Sequence, residues 1–378
     1  MRYLALFLLS SFLFGAFVSA QIPSNVNASI NWRAAGHIFL PKISGSSRFN
    51  YADAVIIQLQ NGTYRMYFSN FTESSNAYNT PGSAGEIDSA ISSDGIHWIL
   101  ENGARVVNPG GPCPPYQGSV IQYQNSTIRL YSGCGVFQSK DGLNFTMVNG
   151  RVEVPYPSGA SATGPPDIFL LKNGTYMMYS SVTTNGTNPR TAITEILSYV
   201  SRDGFNFTQI PGVRVGSLIT VNGITVSNRG HPLVYQFENG TWIMYYDTYG
   251  IVSPQNQQNI QTPTMIAVSQ NGVNWTTVGL TSNLPDSEAY GIISALNNTP
   301  IMIFGFYGIP GFQLPYYTTS YGSGLYYAMP SSNESVVVPP INQYPVANQY
   351  NLSTAIYAVV IVLIMAVIVY VYLRFVKK

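Results

Sequence analysis

Apolar and polar positions along this chain follow a unit that recurs five times. Each unit is an apolar stretch, a tripeptide of the Asn-Gly-Thr type and a second stretch rich in Tyr and Met, as in AVIIQLQNGTYRMYFS from residue 54. Asn-Gly between two β-rich runs is a strong hairpin signal, and a type I′ turn needs positive φ at both of its central residues. The pattern therefore predicts hairpins with type I′ turns at Asn61, Asn125, Asn173, Asn239 and Asn297.

A second pattern, Ser-x-Asp-Gly-x-x-aromatic, alternates with the first. It occurs as SSDGIHW (from 92), SKDGLNF (139) and SRDGFNF (201), and as SQNGVNW (269) with Asn in place of Asp. Each copy joins two further strands, so one hairpin plus the next makes four antiparallel strands. The hairpin asparagines are 48 to 66 residues apart, which is the scale of propeller blades.

One outer strand is missing from this count, since five hairpins accompany four Ser-x-Asp-Gly units. The segment SINWRAAGHIFLP (29–41) has the aromatic residue and the trailing apolar strand of those units, and GLYYAMP (324–330) provides a neighbour for it. The sequence therefore predicts an all-β fold, a five-bladed β-propeller over residues 21–330 that is closed by its N-terminal strand. Two stacked β-sandwiches would leave the displaced first strand without a role.

Both ends of the chain carry segments typical of export and membrane insertion. Residues 1–20 have one arginine, an apolar run and small residues at the end, which is the layout of a signal peptide. Residues 352–374 hold an uncharged apolar run that predicts one C-terminal transmembrane helix, after a stalk at 331–351 and before a basic cytoplasmic tail at 375–378. We therefore expect a single-pass protein of the cell membrane with its N-terminus and propeller outside the cell.

The net charge, the cysteines and the Asn-x-Ser/Thr sites indicate which partners and modifications to expect. A net charge of +1 provides no basic stripe, so a nucleic-acid partner is not expected. Cys113 and Cys134 are the only cysteines, and export predicts one disulfide between them. No motif predicts a metal or a cofactor. Export also makes the Asn-x-Ser/Thr sites glycosylation candidates, and the candidates chosen from the two kinds of turn are Asn61, Asn125, Asn173, Asn206, Asn239 and Asn274.

Candidate site residues come from the starts of the inner strands, which frame one mouth of the propeller channel. Asp53, Gln117 and His231 each precede a turn asparagine by eight residues, whereas Asp167 and Glu288 are the leading polar residues of the third and fifth units. Asp247 opens the loop 247–263, one of several loops rich in Tyr, Asn, Gln and Thr that suit sugar binding. The alternative interpretation is that these groups cap strand ends or bind water on the axis.

The segments ADAVIIQLQNGTYRMYFS and GPPDIFLLKNGTYMMYSS, with the Ser-x-Asp-Gly-x-x-Trp units, resemble the five-bladed glycoside hydrolases of the arabinanase/xylosidase and levanase/invertase clans. The resemblance implies Asp53 as base or nucleophile and Asp167 as the tuning aspartate. The glutamate motif of those families is replaced here by Gly230 and His231 before Pro232, so Glu288, or else Glu195, is the candidate acid.

Two functions follow from these observations. The first is a membrane-anchored extracellular glycoside hydrolase-like protein that acts on poly- or oligosaccharide, with catalytic Asp53, Asp167 and Glu288 and with Gln117, His231 and Asp247 binding substrate. The second is a non-catalytic carbohydrate-binding or cell-envelope protein with a degenerate propeller. Carbohydrate is the partner expected in both cases.

Overall fold

The structure is a computed structural model, and every regular element in its described part is a β-strand. The described residues are 32–38, 40, 51–71, 85–107, 117–123, 125–133, 135–150, 152–162, 166–184, 193–221, 224–236, 240–251, 264–280, 287–294, 300–306 and 324–330.

The strands form five antiparallel sheets, one for each predicted blade. Strand β1 (Trp32–His37) precedes the first blade in the chain. Blade 1 contains β2 (Tyr51–Gln58), β3 (Tyr64–Phe71), β4 (Gly85–Ser92), β5 (Ile99–Leu100) and β6 (Val106–Val107). Blade 2 contains β7 (Gln117–Gln122), β8 (Ile128–Ser132), β9 (Gly135–Ser139) and β10 (Thr146–Asn149). Blade 3 contains β11 (Ser161–Ala162), β12 (Asp167–Leu170), β13 (Tyr176–Thr184), β14 (Ile193–Ser201) and β15 (Thr208–Val215).

Blade 4 contains β16 (Leu218–Val221), β17 (Ile224–Gln236), β18 (Trp242–Ile251), β19 (Met265–Ser269) and β20 (Trp275–Leu280). Blade 5 contains β21 (Ser287–Ser294), β22 (Pro300–Phe306), β23 (Gly324–Pro330) and the N-terminal β1. The inner strands form a closed circuit, because β2 contacts β7, β7 contacts β12, β12 contacts β17, β17 contacts β21 and β21 contacts β2. The predicted five-bladed propeller is confirmed.

Closure by the N-terminal strand is confirmed as well. Strand β1 pairs antiparallel with β23, with Trp32 opposite Pro330 and His37 opposite Tyr326. Trp32 is completely buried. It lies beside the hydroxyl of Tyr245 in blade 4 and partly opposes the rise that burial causes in the pKa of that tyrosine. The edges that an open array would expose are thereby paired.

In the inner hairpin turns that the structure describes completely, those of blades 1 to 3, the turn type differs from the prediction. In the first turn the Gly62 amide donates to the Leu59 carbonyl at 2.9 Å, and the Leu59 amide donates to the Thr63 carbonyl at 2.8 Å. Gly62 has φ of 85°, whereas Asn61 is not among the residues with positive φ. This is a three-residue loop, a type I turn followed by a left-handed bulge residue. The type I′ prediction is wrong because the asparagine side chain fixes the turn differently: Asn61 Oδ1 accepts the Thr63 amide at 3.1 Å.

The Ser-x-Asp-Gly turns connect the outer strands as predicted. In blade 2, Asp141 Oδ1 accepts the amides of Leu143 and Asn144, each at 2.8 Å, and Ser139 Oγ accepts the Gly142 amide at 2.9 Å. Hydrogen bonds from Asn144 and Leu143 hold the pKa of Asp141 well below its usual range. The motif aspartates therefore accept hydrogen bonds from turn amides. This structural role accounts for the recurrence of the motif.

These turns also join neighbouring blades. The Tyr67 hydroxyl of blade 1 donates to the Gly142 carbonyl of blade 2 at 2.9 Å, and the Tyr179 hydroxyl of blade 3 donates to the Gly272 carbonyl of blade 4 at 2.6 Å. Arg65 donates to the Asp141 carbonyl at 2.9 Å beside the tyrosine bond. The buried apolar clusters likewise contain residues of adjacent blades, so the core lies between blades.

The predicted signal peptide at 1–20, stalk at 331–351, transmembrane helix at 352–374 and tail at 375–378 lie outside the described residues. Within the described ranges there is no helix of the length and hydropathy that a membrane span requires. Cys113 and Cys134 also lie outside them, so the disulfide stays a prediction.

Candidate functional site

Two predicted site residues adopt a left-handed backbone conformation that is uncommon among non-glycine residues, although Asp and His adopt it more readily than most. Asp53 has φ of 51° and His231 has φ of 50°, and among the described non-glycine residues only Ser126, in a hairpin turn, shares a positive φ. Both lie at register shifts of an inner strand, between Ala52 and Val55 in blade 1 and between Gly230 and Leu233 in blade 4. Left-handed non-glycine residues cost on the order of 1–2 kcal/mol and concentrate at functional sites.

His231 is held by contacts on two sides. Its Nδ1 lies 3.2 Å from Asp247 Oδ2, and its side chain is 15% exposed while that of Asp247 is 2% exposed. Its backbone amide donates to Ser181 Oγ of blade 3 at 2.8 Å. Gly230 permits this approach, since it has φ of 110° and an added Cβ would collide with the Ser181 side chain. The imidazole is thus oriented by a buried carboxylate, with Nε2 turned away from Asp247.

The sequence named both His231 and Asp247 as candidates, but it did not predict that they form a pair. Strands β17 and β18 bring them together, because Gly230 pairs with Asp247 across the irregular part of that ladder. The register shift there could not be read from an alternating pattern, which assumes regular pairing.

Asp167 is buried and contacts the next blade. Its Oδ2 accepts the backbone amide of Val234 at 2.6 Å. Ser119 has the corresponding place in blade 2, where its Oγ accepts the Ile168 amide at 2.6 Å. Asp167 therefore links the inner strand of blade 3 to the strand that carries His231, three residues before Val234.

Two other candidates are described only in their backbone. Gln117 begins β7 opposite Ser132, and Glu288 in β21 pairs with Gly305. Their side chains lie outside the described part of the structure, so their roles stay predictions. Of the predicted glycosylation sites, Asn239 lies outside the described residues, and the following are exposed: Asn61, Asn125, Asn173, Asn206 and Asn274.

A third group of polar side chains was not predicted. It lies in blade 1 where β3 ends and β4 begins, at the same end of the sheet as the start of β2. Asn70 Nδ2 donates to Asp88 Oδ2 at 2.7 Å and lies 3.3 Å from Glu86 Oε1. Burial and the Glu86 charge raise the pKa of Asp88 to about 6, against the opposing bond from Asn70. Burial, Asp88 and Glu86 raise the pKa of Tyr51 to about 12.

The only available signal for this group was the Glu-x-Asp alternation in GEIDSAIS, which places both carboxylates on one face of β4. Asn70 starts an Asn-Phe-Thr glycosylation sequon, but the residue is 1% exposed and hydrogen-bonds inside the group. Its place in the fold leaves no room for a glycan.

Comparison with solved structures identifies the fold. The family 117 glycoside hydrolase Zg3597 from Zobellia galactanivorans superposes with a TM-score of 0.55 at 16% identity, over 79% of this chain and 90% of that one. A second structure, described as a glycoside hydrolase, gives 0.55 at 12% identity, over 85% and 99%. A thermostable family-43 glycoside hydrolase gives 0.50 at 15% identity, over 75% and 89%.

This chain has the five-bladed propeller fold of those glycoside hydrolases. No protein-family model matches the sequence, and no curated protein matches it significantly. The fold alone does not fix the reaction, since one scaffold hosts many functions. The side chains that bear on the reaction are His231, Asp247 and Asp53.

Proposed function

We propose that this protein is a membrane-anchored extracellular glycoside hydrolase that acts on poly- or oligosaccharide at the mouth framed by the inner-strand starts. The observation that carries the proposal is the pairing of His231 with the buried Asp247 at a left-handed bulge within the inner strand β17. Asp53 occupies the equivalent place in blade 1 with the same left-handed backbone. The glycoside hydrolase fold of the neighbours supports the reaction class.

Glycoside hydrolysis needs one group that protonates the leaving oxygen and one carboxylate that activates water or attacks the anomeric carbon. His231 supplies the proton in this proposal. A carboxylate at Nδ1 fixes the tautomer and orientation of an imidazole and stabilises its protonated form, as in hydrolase triads. Nε2 then carries the proton to the leaving oxygen, and Asp53 serves as base or nucleophile.

The other two predicted catalytic residues take different places in this scheme. Asp167 tunes the site through the strand that it holds, because Val234 follows His231 closely on β17. Glu288 is the competing candidate for the acid, and a direct comparison with His231 separates the two. Gln117 is assigned to substrate binding.

One observation favours the second function, a non-catalytic carbohydrate-binding protein. Asp167 Oδ2 bonds a backbone amide just as Ser119 Oγ does in blade 2. A serine does this without any catalytic capacity, so the blade-to-blade bond alone is sufficient reason for a polar residue there.

The test is hydrolysis of a panel of aryl glycosides and polysaccharides by the purified full-length protein at several pH values. The variants are Asp53→Asn, His231→Asn and Glu288→Gln. Asparagine tolerates the left-handed backbone, so the first two replacements change chemistry with little added strain. The matched control is Asp203→Asn, because Asn271 already performs the same turn role in blade 4.

We expect Asp53→Asn and His231→Asn each to lower kcat/KM at least about a hundredfold, as loss of an acid or base does, and Asp203→Asn to leave it unchanged. A large loss in Glu288→Gln with none in His231→Asn would reassign the acid. Binding of sugar without hydrolysis by the parent would establish the second function instead.

A further inference from the structure

Asn-Gly pairs recur along this chain, and the dipeptide holds a nucleophile beside an electrophile. The backbone nitrogen of the glycine attacks Cγ of the preceding asparagine more easily than any other residue would, because glycine has no side chain to hinder the approach. The asparagines of these pairs are Asn61, Asn102, Asn149, Asn173, Asn185, Asn222, Asn239 and Asn271. The fold decides which of the glycine nitrogens are placed for this reaction.

Five of the pairs lie wholly in the described part of the chain, and three of these hold the glycine amide inside a turn. The amides of Gly62 and Gly174 donate to main-chain carbonyls at 2.9 and 2.8 Å. In the outer turn of blade 4, the Gly272 amide donates to Ser269 Oγ at 3.0 Å. Each of these nitrogens must first leave its hydrogen bond and its turn before it reaches the preceding side chain.

The pair Asn102–Gly103 is fixed through its carbonyl groups. The Arg105 guanidinium donates to the carbonyls of both residues, and Gly103 has φ of 80°. The peptide plane between the two residues would have to rotate to bring the Gly103 nitrogen to the Asn102 side chain. That rotation would break the bond from Arg105 to the Asn102 carbonyl.

The pair Asn149–Gly150 has a different arrangement. The Gly150 amide donates to Oδ1 of Asn149, the side chain that precedes it, at 2.9 Å. Because Oδ1 is bonded to Cγ, this contact folds the side chain back onto the nitrogen that attacks it and polarises the side-chain carbonyl. Reacting groups that are already held together lose little further freedom in the reaction. Gly150 is also exposed, so water and hydroxide reach it.

We propose that Asn149 is the site at which the folded protein converts asparagine to aspartate and isoaspartate. The Gly150 nitrogen loses its proton to hydroxide and forms a bond to Cγ of Asn149, the Cγ–Nδ2 bond breaks, and Nδ2 leaves as ammonia. Water then opens the succinimide ring. Cleavage of the bond from Cγ to the nitrogen gives aspartate, and cleavage of the bond from the main-chain carbonyl gives isoaspartate. Solvent is the only co-reactant.

Isoaspartate would alter the outer edge of blade 2. Asn149 ends β10, the edge strand of that sheet, and pairs with Val136. Gly135 approaches so closely that an added Cβ would be 2.9 Å from the carbonyl oxygens of Asn149 and Gly150. One more main-chain carbon and a new negative charge at this contact would loosen the end of the β9–β10 ladder. The inference does not rest on the proposed function, because none of these residues is assigned to the reaction.

The experiment follows the purified full-length protein in mildly alkaline buffer over time. Peptide mapping with fragmentation locates each converted asparagine, and labelling by an isoaspartyl methyltransferase measures isoaspartate separately. Asn102 and Asn271 are the internal comparisons because, like Asn149, they precede glycine and lie outside Asn-x-Ser/Thr sequons. The same incubation in guanidinium chloride gives the rates of the unfolded chain. The variant is Gly150→Ala, which hinders ring closure at a place where an added Cβ meets no described atom within 4 Å.

We expect the folded protein to convert Asn149 at least about tenfold faster than Asn102 and Asn271, a factor equal to about 1.4 kcal/mol of barrier. The three rates should converge in guanidinium chloride. Gly150→Ala should slow conversion at residue 149 by a similar factor and leave the urea midpoint unchanged.

Four results would overturn the proposal. The first two are no conversion at Asn149 and equal or faster conversion at Asn102 or Asn271 in the folded protein. The third is the same preference for Asn149 in the unfolded chain, which would assign the effect to neighbouring sequence instead of the fold. The fourth is undiminished conversion in Gly150→Ala, which would exclude the Gly150 nitrogen as the nucleophile.

Discussion

Gly36 lies against the aromatic ring of Tyr327, its partner across the β1–β23 ladder. A Cβ placed on Gly36 would be 2.5 Å from Cε1 of that ring. The contact lies in the strand pair that closes the propeller. The two strands pair in this geometry because residue 36 has no side chain.

The first prediction tests this contact. Gly36→Val should lower the free energy of unfolding by about 1–3 kcal/mol, the usual cost of overpacking, because the tyrosine or the strand must move. Urea unfolding measures the change. Gly150→Ala is the matched control, since no atom lies within 4 Å of a Cβ added there. Equal midpoints for Gly36→Val and the parent would show that the last junction tolerates a side chain.

His37, the next residue on β1, makes the stability of the protein depend on pH. Burial lowers the pKa of His37 to about 4 from 6.5, so the folded state disfavours the protonated ring. The contribution to stability is complete above pH 6.5 and is lost as pH falls toward 4. It amounts to at most about 3 kcal/mol.

The second prediction is that His37→Phe, which keeps an aromatic ring against Tyr326, flattens this loss. Urea midpoints of parent and variant are compared from pH 7 to pH 4. The parent should lose more stability than the variant over that range. Parallel curves would mean that His37 is protonated equally in the folded and unfolded chain.

Asp88 contributes to the pH dependence of stability with the sign opposite to that of His37. Its folded pKa of about 6 lies above the ordinary 3.8, so the folded state favours the neutral acid. Stability is therefore lost as pH rises from 3.8 through 6, by about 2 kcal/mol at most after allowance for solvent screening.

The third prediction follows from that sign. Asp88→Asn should remove this loss and be more stable than the parent at pH 7, with little difference near pH 4. The same urea series measures it, and Asp203→Asn is a comparison of opposite sign, because, against the effect of burial, hydrogen bonds hold the pKa of Asp203 below its usual range and its loss should lower stability at pH 7. Lower stability of Asp88→Asn at pH 7 would show that the ionised carboxylate is favoured in the folded state.

The sequence predicted the architecture well because each blade repeats the same local signals. The five hairpins, the Ser-x-Asp-Gly turns and the displaced strand around Trp32 were all legible as short patterns. Side-chain pairs that an irregular or unspecified strand register brings together could not be predicted from the sequence. His231 and Asp247 meet at a bulge, and Asn70 meets Asp88 across a ladder whose register no motif specifies.

The hairpin turns show the same limit at the scale of one residue. Asn-Gly-Thr correctly predicted where the chain reverses, but the hydrogen bonds that the Asn side chain accepts select a type I turn with one left-handed residue. In blade 2 that left-handed place is taken by Ser126, with φ of 64°. Gly62 and Gly174 take it in blades 1 and 3.

The fourth prediction uses this natural comparison. Ser126→Gly should stabilise the protein by about 0.5–1 kcal/mol, because relief of the left-handed strain outweighs the entropy that glycine adds to the unfolded chain. Gly62→Ser should destabilise it by a similar amount. Gln60 Nε2 donates to Ser126 Oγ at 2.9 Å, but this bond is exposed and its loss offsets little of the gain. The two replacements are the reverse of one another at the same turn position. Shifts of the urea midpoint in the same direction would contradict a shared turn geometry. Opposite shifts of similar size would establish that the turn of blade 2 carries local strain that the turn of blade 1 avoids.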